Sequence, residues 1–250
     1  MGRNPRHDKI LNLLQNLRQI SVSDLTERLG VSQVTIRKDL TILEEKGLIL
    51  RNHGGAMLAQ ATNQISTVST RKGLFFDKKD RITSKAIELI QEGDSVCIDA
   101  SSTNLLLAEK IKTLPIRVIT NSLEIMKTLS SSRDITLTAI GGNFRQEASS
   151  FIGPIAEDTI NQLQFDIAFI GATGISVDGD FLTHNTIEGN VKKAMLKAAK
   201  RKVILADSSK LNARSFSKFA NADLIDVLIT DSKFSETDLF RKMGIEVLMV

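Results

Sequence analysis

The sequence predicts an α/β protein in two parts: a small, basic, mostly helical head and a larger body on a doubly wound, mostly parallel sheet. Three observations lead there. Two short helical stretches meet at a glycine near residue 30, apolar strand-like runs alternate with helical ones beyond residue 94, and charge is unevenly divided. The 250-residue chain carries 33 Lys+Arg and 29 Asp+Glu, a net charge of +4. Residues 1–85 hold 15 basic and 8 acidic side chains, and the remaining 165 hold 18 and 21. The mild average therefore joins a basic head to a slightly acidic body.

Composition excludes several classes. No apolar run approaches the ~20 residues of a membrane helix, and the basic N-terminus has no apolar stretch behind it as a secretory signal would. A cytoplasmic protein with no membrane partner is expected. The single cysteine, Cys97, forbids an internal disulfide. Trp and Tyr are absent, leaving 11 Phe, which argues against a single-strand nucleic-acid binder built on aromatic stacking.

In the head, Ile10, Leu11, Leu13, Leu14 and Leu17 form a helical stripe. A second short helix follows over Ser23–Leu29, with Ser23 as its expected N-cap and Gly30 as its stop. Ser32 can cap a third helix running to about Lys46. Two short helices across a tight glycine turn are the helix-turn-helix pattern. Two apolar runs around Arg51-Asn52-His53-Gly54-Gly55 then make a hairpin, or wing.

At about 100° per residue, Ile36, Leu40 and Leu43 of the third helix face the core. Val34, Lys38 and Thr41 project opposite, flanked by Thr35, Arg37 and Gln33. Cations for phosphate and short polar side chains for base edges are what a major-groove reader needs. With Ser32, Arg51 and His53 these are the candidate DNA contacts. Val34 is either a stray surface valine or a contact for a thymine methyl. Asp39 falls on the core side and is expected to meet a nearby cation or backbone amide.

These residues carry a resemblance. Ser32-Gln33-Val34-Thr35-Ile36-Arg37-Lys38-Asp39-Leu40, then Leu43-Glu44, Gly47 and Arg51-Asn52-His53-Gly54-Gly55-Ala56, resembles the DeoR family of bacterial transcriptional regulators, and Arg6, Ile10 and Leu14 fit its opening helix.

From Ala59 to Thr70 the composition suits a connector, so the expected division is head 1–58, linker 59–76 and body 77–250. The basic cluster Arg71, Lys72, Lys78, Lys79, Arg81 and Lys85 is either a solvated helix face or an added phosphate contact, and the solvated face is the expectation. Strands are expected over Ser95–Ala100, Ile116–Thr120, Ile135–Ile140, Asp166–Gly171, Lys202–Asp207, Leu224–Thr230 and Gly244–Val250, with helices between most of them.

The strand exits are rich in hydroxyls and glycines: Asp99-Ala100-Ser101-Ser102-Thr103, Thr120-Asn121-Ser122, Gly141-Gly142, Gly171-Ala172-Thr173-Gly174 and Asp207-Ser208-Ser209-Lys210. Ligands of open parallel sheets sit at the carboxyl ends of strands, and helix N-termini bind phosphate. A phosphorylated sugar fits this rim. The plainer reading of each loop is N-caps and turns.

The order of these loops, with Asp166-Ile167-Ala168-Phe169-Ile170-Gly171 and Val191-Lys192-Lys193-Ala194-Met195, also resembles the DeoR family's sensor domain. That resemblance implies a fold related to ribose-5-phosphate isomerase and glucosamine-6-phosphate deaminase, and a phosphorylated sugar as inducer. The ligand candidates are then Asp99, Ser101, Ser102, Thr103, Thr120, Asn121, Ser122, Gly141, Gly142, Lys192 and Lys210. The family usually has glycine where Ser101 stands and Thr where Asn104 stands. Thr183-His184-Asn185 is most like members that sense amino-sugar or sugar-alcohol phosphates.

The rival class is an enzyme using Asp99, Asp207 or Asp231 as general base, but fold analogy alone does not give activity. His184 and Glu188 lack a third ligand, so neither metal nor other cofactor is expected. Cys97, between Val96 and Ile98, reads as a packed apolar residue. A DNA binder without ligand response leaves the hydroxyl-rich strand exits unexplained. The expectation is a repressor of carbohydrate utilisation that is released from operator DNA by a sugar phosphate. Paired half-sites call for a homo-oligomer, a dimer or tetramer.

Overall fold

The computed structural model describes residues 4–17, 19–45, 48–52, 54–58, 71–72 and 74–250. The chain divides into two compact units, residues 1–76 and 77–250.

In the first unit, α1 (Pro5–Leu17), α2 (Val22–Leu29) and α3 (Gln33–Glu45) enclose a core with β1 (Gln19–Ser21), β2 (Ile49–Asn52) and β3 (Gly55–Leu58). Ile10, Leu14, Leu25, Ile36, Leu40 and Ile49 are fully buried there. The wing hairpin is present as β2–β3, and β1 extends it into an antiparallel sheet of order β1-β3-β2. This third strand is too short to show alternation in the sequence. It explains Gly55, because a Cβ at that position would lie 2.1 Å from the Ile20 carbonyl oxygen.

The N-cap of α2 is Ser21, not Ser23. Ser21 inherits the extended conformation of β1 (φ −79°, ψ 159°), and its hydroxyl accepts the Asp24 N–H at 3.0 Å. A cap must stand outside the helix, whereas Ser23 is already in the first turn. Gly30 ends α2 in the left-handed region at φ 66°. Leu74 and Phe75 join this unit's buried apolar cluster. Most of the expected linker, and the candidate His53, lie outside the described residues.

The second unit opens with α4 (Phe76–Ile87), then alternates β4 (Ser95–Ile98), α5 (Ser102–Lys110), β5 (Arg117–Thr120), α6 (Leu123–Leu129) and β6 (Thr136–Ala139). After a hairpin of β7 (Asn143–Arg145) and β8 (Ser150–Ile152) come α7 (Pro154–Asn161), β9 (Phe165–Gly171), β10 (Gly174–Ile175), β11 (Phe181–Thr183) and α8 (Thr186–Lys197). The chain closes with β12 (Ala199–Leu205), β13 (Ser217–Ala220), β14 (Val227–Thr230), α9 (Thr237–Lys242) and β15 (Glu246–Met249).

Seven of these strands form one sheet of order β15-β14-β12-β9-β4-β5-β6, and every pairing in it is parallel. The order runs outward in both directions from β4 and β9, so the topological switch point lies between those two strands. The expected doubly wound sheet is therefore present. Two antiparallel additions were not anticipated: the β7–β8 hairpin and a small sheet of order β10-β11-β13. Their strands run two to four residues, below the length at which period-two patterning is legible.

Candidate functional site

On α3, Gln33, Val34, Arg37 and Lys38 are exposed, Val34 to 77%. The Ser32 hydroxyl accepts the Thr35 N–H at 3.2 Å. Arg51 does not simply point outward from the wing. Its Nη1 donates to Thr41 Oγ1 at 2.9 Å, and its backbone N–H donates to Glu44 Oε1 at 3.0 Å. The wing is thereby braced against the helix, while the exposed row on α3 remains presented.

Asp39 lies opposite that row and is 3% exposed. Arg6 Nε and Nη2 donate to its two oxygens at 2.5 and 3.0 Å, and His7 Nε2 lies 3.0 Å from Oδ1. Burial opposes its ionised form, but the hydrogen bonds from Arg6 and His7 outweigh this and hold the carboxyl below its usual range. The expected nearby cation is thus Arg6.

In the second unit, the exits of β4 and β9 meet around Asp99, which is 1% exposed. Its carboxylate accepts Asn104 Nδ2 at 2.6 Å and the Gly171 N–H at 3.1 Å, and it pairs with Lys192. Lys192 also donates to the Gly171 carbonyl at 3.0 Å and lies 3.7 Å from Glu188. Glu188 in turn accepts from Thr183 at 2.9 Å and pairs with Arg145. Alternating charges therefore run from the switch point to the β7–β8 hairpin. Both Asp99 oxygens are thus taken up where the two strand exits meet. Gly171 permits a close approach, since a Cβ there would fall 2.5 Å from Ser101 Cβ.

The other candidate positions divide. Ser101 and Ser122 cap helices, accepting the Asn104 and Ile125 N–H groups. Thr120 Oγ1 donates to the Ile98 carbonyl at 2.6 Å and accepts the Ser122 N–H at 3.1 Å. Asn121 Nδ2 donates to the Phe151 carbonyl at 2.9 Å. Gly142 has φ 139°, and a Cβ there would meet the Ile152 carbonyl at 2.7 Å, which gives this glycine a packing reason of its own. Gly141 is exposed and Thr103 is buried.

The largest correction concerns α4. Lys79 is not on a solvated face; it is 4% exposed and donates to Ser102 Oγ at 3.0 Å. Lys78 donates to Ser208 Oγ at 2.8 Å and pairs with Asp231 at 3.2 Å. The signal was available: Lys79, Ile82, Thr83 and Ala86 share one helical stripe, and all four are buried. A lysine on an apolar stripe calls for a buried partner. Arg81 is exposed, as expected of that cluster. Across the sheet, Asp207 accepts the Ser209 N–H at 2.9 Å. Burial works against its charge, yet Lys210, Lys79 and Ser209 hold it ionised below the usual range. Lys79 thus serves two strand exits, through its hydrogen bond to Ser102 beyond β4 and its charge on Asp207 beyond β12. Arg145, Thr183, Glu188 and Ser208 are not among the ligand candidates the sequence offers, although Thr183 and Ser208 lie in loops that it marks.

Among the described residues no group of three or more His, Cys, Asp and Glu is placed to hold a metal, and no helix is long and apolar enough to cross a membrane.

A helix-turn-helix head with an exposed polar and basic row, joined to a doubly wound unit with a charged crevice at its switch point, defines a DNA-binding regulator with a sensor body. Residues 6–62 match the DeoR-like helix-turn-helix domain, and residues 75–232 match the DeoR C terminal sensor domain. The chain belongs to the DeoR family of transcriptional regulators. It is 32% identical to the putative aga operon transcriptional repressor of Escherichia coli O157:H7, covering 100% of this chain and 94% of that protein. It is 34% identical to the HTH-type transcriptional repressor GlcR of Bacillus subtilis, covering 96% and 93%. Identity to the glycerol-3-phosphate regulon repressor of Escherichia coli K12 is 31%, covering 93% and 92%. Among solved structures, a ribose 5-phosphate isomerase A from Methanocaldococcus jannaschii overlays with a TM-score of 0.41 at 21% identity, covering 54% of each chain.

Proposed function

We propose that this protein represses a carbohydrate-utilisation operon and leaves its operator when a phosphorylated sugar, amino sugar or sugar alcohol binds the second unit. The carrying observation is the pairing of two chemistries at one crevice. On one side, Lys79 meets the Ser102 hydroxyl at the start of α5, and Lys79 and Lys210 both act on the charge of Asp207, which suits a phosphate. On the other, the amide oxygens of Asn104 and Asn121 are buried without a hydrogen-bond partner. Their orientations are set, because each amide nitrogen already donates to a backbone carbonyl. Such acceptors ask for donors. A phosphate group offers acceptors, whereas a polyol or amine offers the hydroxyl or ammonium hydrogens that these oxygens lack. A ligand with both ends satisfies both.

In this reading residues 1–58 read DNA through α3, residues 59–76 connect, and residues 77–250 sense. The ligand candidates are those named from the sequence, joined by Lys79, Ser208 and Ser209. Paired half-sites suit a cytoplasmic homo-oligomer, with effector acting only through unequal affinity for the operator-competent and released arrangements.

The test has two stages. Duplexes selected by the full-length protein from a random-sequence library should converge on one motif. Glycerol 3-phosphate, glucose 6-phosphate, galactosamine 6-phosphate and their unphosphorylated counterparts are then compared in thermal shift and operator release. At least one phosphorylated compound should raise the melting temperature and release the duplex, and its unphosphorylated counterpart should do neither. Convergence without release by any phosphorylated compound refutes the effector reading.

A further inference from the structure

Lys78, in the first turn of α4 just past the boundary between the two units, enters the strand-end network. Its ammonium reaches Ser208 Oγ at 2.8 Å and Asp231 Oδ2 at 3.2 Å. Asp231 is 1% exposed and sits at the exit of β14. Its carboxylate also accepts the Ser208 N–H at 2.6 Å, the Ser208 hydroxyl at 3.0 Å and the Lys233 N–H at 3.3 Å. Ser208 belongs to the loop that leads to Lys210. One serine therefore serves both the candidate phosphate loop and the clamp on α4.

We propose that the Lys78–Ser208–Asp231 clamp carries effector occupancy from the sensor crevice to the linker, with Lys78 as a positioning residue that transmits rather than binds. This rests on the effector reading of the same loops. An anion that accepts the Ser208 N–H and hydroxyl withdraws two donors from Asp231 and turns the hydroxyl oxygen away from Lys78. A buried carboxylate losing two of its donors depends more heavily on the remaining cation. The ammonium then follows the carboxylate, and the first turn of α4 follows the ammonium. Because α4 begins at Phe76, displacement of that turn is delivered directly to the segment that precedes it. The clamp thus has two arrangements whose balance the anion changes, which a coupling path requires.

The experiment uses the full-length protein, its selected duplex and the panel compound that releases the wild type most strongly. Coupling is the ratio of duplex affinities without and with saturating compound, and linkage requires the duplex to change compound affinity by the same factor. Lys78→Met should lower coupling at least fivefold in both directions, while compound affinity measured without DNA stays within threefold. Lys78→Arg should restore coupling. Asp231→Asn, which opens the clamp from the other side, should also lower coupling and decides the matter if Lys78→Met does not fold. Wild-type coupling in Lys78→Met or Asp231→Asn overturns the proposal, as does loss of compound binding in Lys78→Met, which would make Lys78 a ligand contact. Failure of every compound to release the wild type instead removes the underlying effector reading.

Discussion

Arg6, at the start of the first helix, holds both carboxylate oxygens of Asp39 on α3, at 2.5 and 3.0 Å. The acid lies opposite the exposed row of α3 and ties that helix to α1. The Asp39 carboxyl is held below its usual range, so its folded pKa lies below its unfolded value near 3.9. Its stabilisation is fully present above that unfolded value and is lost as pH falls through the folded one. Melting temperature measured from pH 5 to pH 2 should therefore fall less steeply for Asp39→Asn than for the wild type. Equal slopes would show that the contact does not stabilise the ionised form.

The exposed row on α3 separates sequence reading from simple attraction. Lys38→Ala should weaken binding to all duplexes about equally and reduce the salt slope by about 1. Val34→Ser should instead re-rank duplex variants at one A·T position, since an apolar side chain recognises the thymine methyl. Competition binding over single-base variants measures both. An unchanged ranking for Val34→Ser returns that valine to the status of an ordinary surface residue.

Lys192 and Asp99 form an ion pair buried at 6% and 1% exposure. Removing one partner strands a charge, so Lys192→Met should cost about 3 kcal/mol in urea unfolding of the full-length protein. The double variant with Asp99→Asn should cost less than the sum of the singles, because the second change removes the stranded charge. Strict additivity would mean that the two groups do not interact.

Gly171 and Ser101 occupy space that admits only one Cβ, since a methyl at 171 would lie 2.5 Å from Ser101 Cβ. Gly171→Ala should displace the hydroxyl loop and weaken binding of the panel compounds at least tenfold. Ser101→Gly removes the obstructing atom, so the double variant should recover most of that loss by calorimetry. No recovery would place the damage elsewhere than at this contact.

Cys97 is fully buried mid-strand, and burial together with the charge of Asp99 pushes its thiol up. Alkylation by iodoacetamide should be undetectable in the folded protein at pH 8 and complete in urea. Rapid labelling of the folded protein would show that β4 opens locally.

The sequence by itself determined the two-part architecture, because both parts advertise themselves through local patterning. Ile36, Leu40 and Leu43 mark the buried face of α3 at helical spacing, and the apolar runs of β4, β5, β9, β12 and β14 mark strands covered on both faces. It also led to the strand exits, since parallel sheets gather their carboxyl ends on one rim. Tertiary structure alone decided what each residue there does. Ser101, Ser122 and Thr120 hold helices and backbone, while Lys78 and Lys79 leave the expected solvated surface for the crevice. The reason is physical: whether a hydroxyl caps a helix or a lysine finds a buried carboxylate depends on partners distant in the chain. Lys78 meets Asp231, and Lys192 meets Asp99, only because strand order brings β14 and β9 where they are. Periodicity records which face a residue occupies, but strand order supplies its partner.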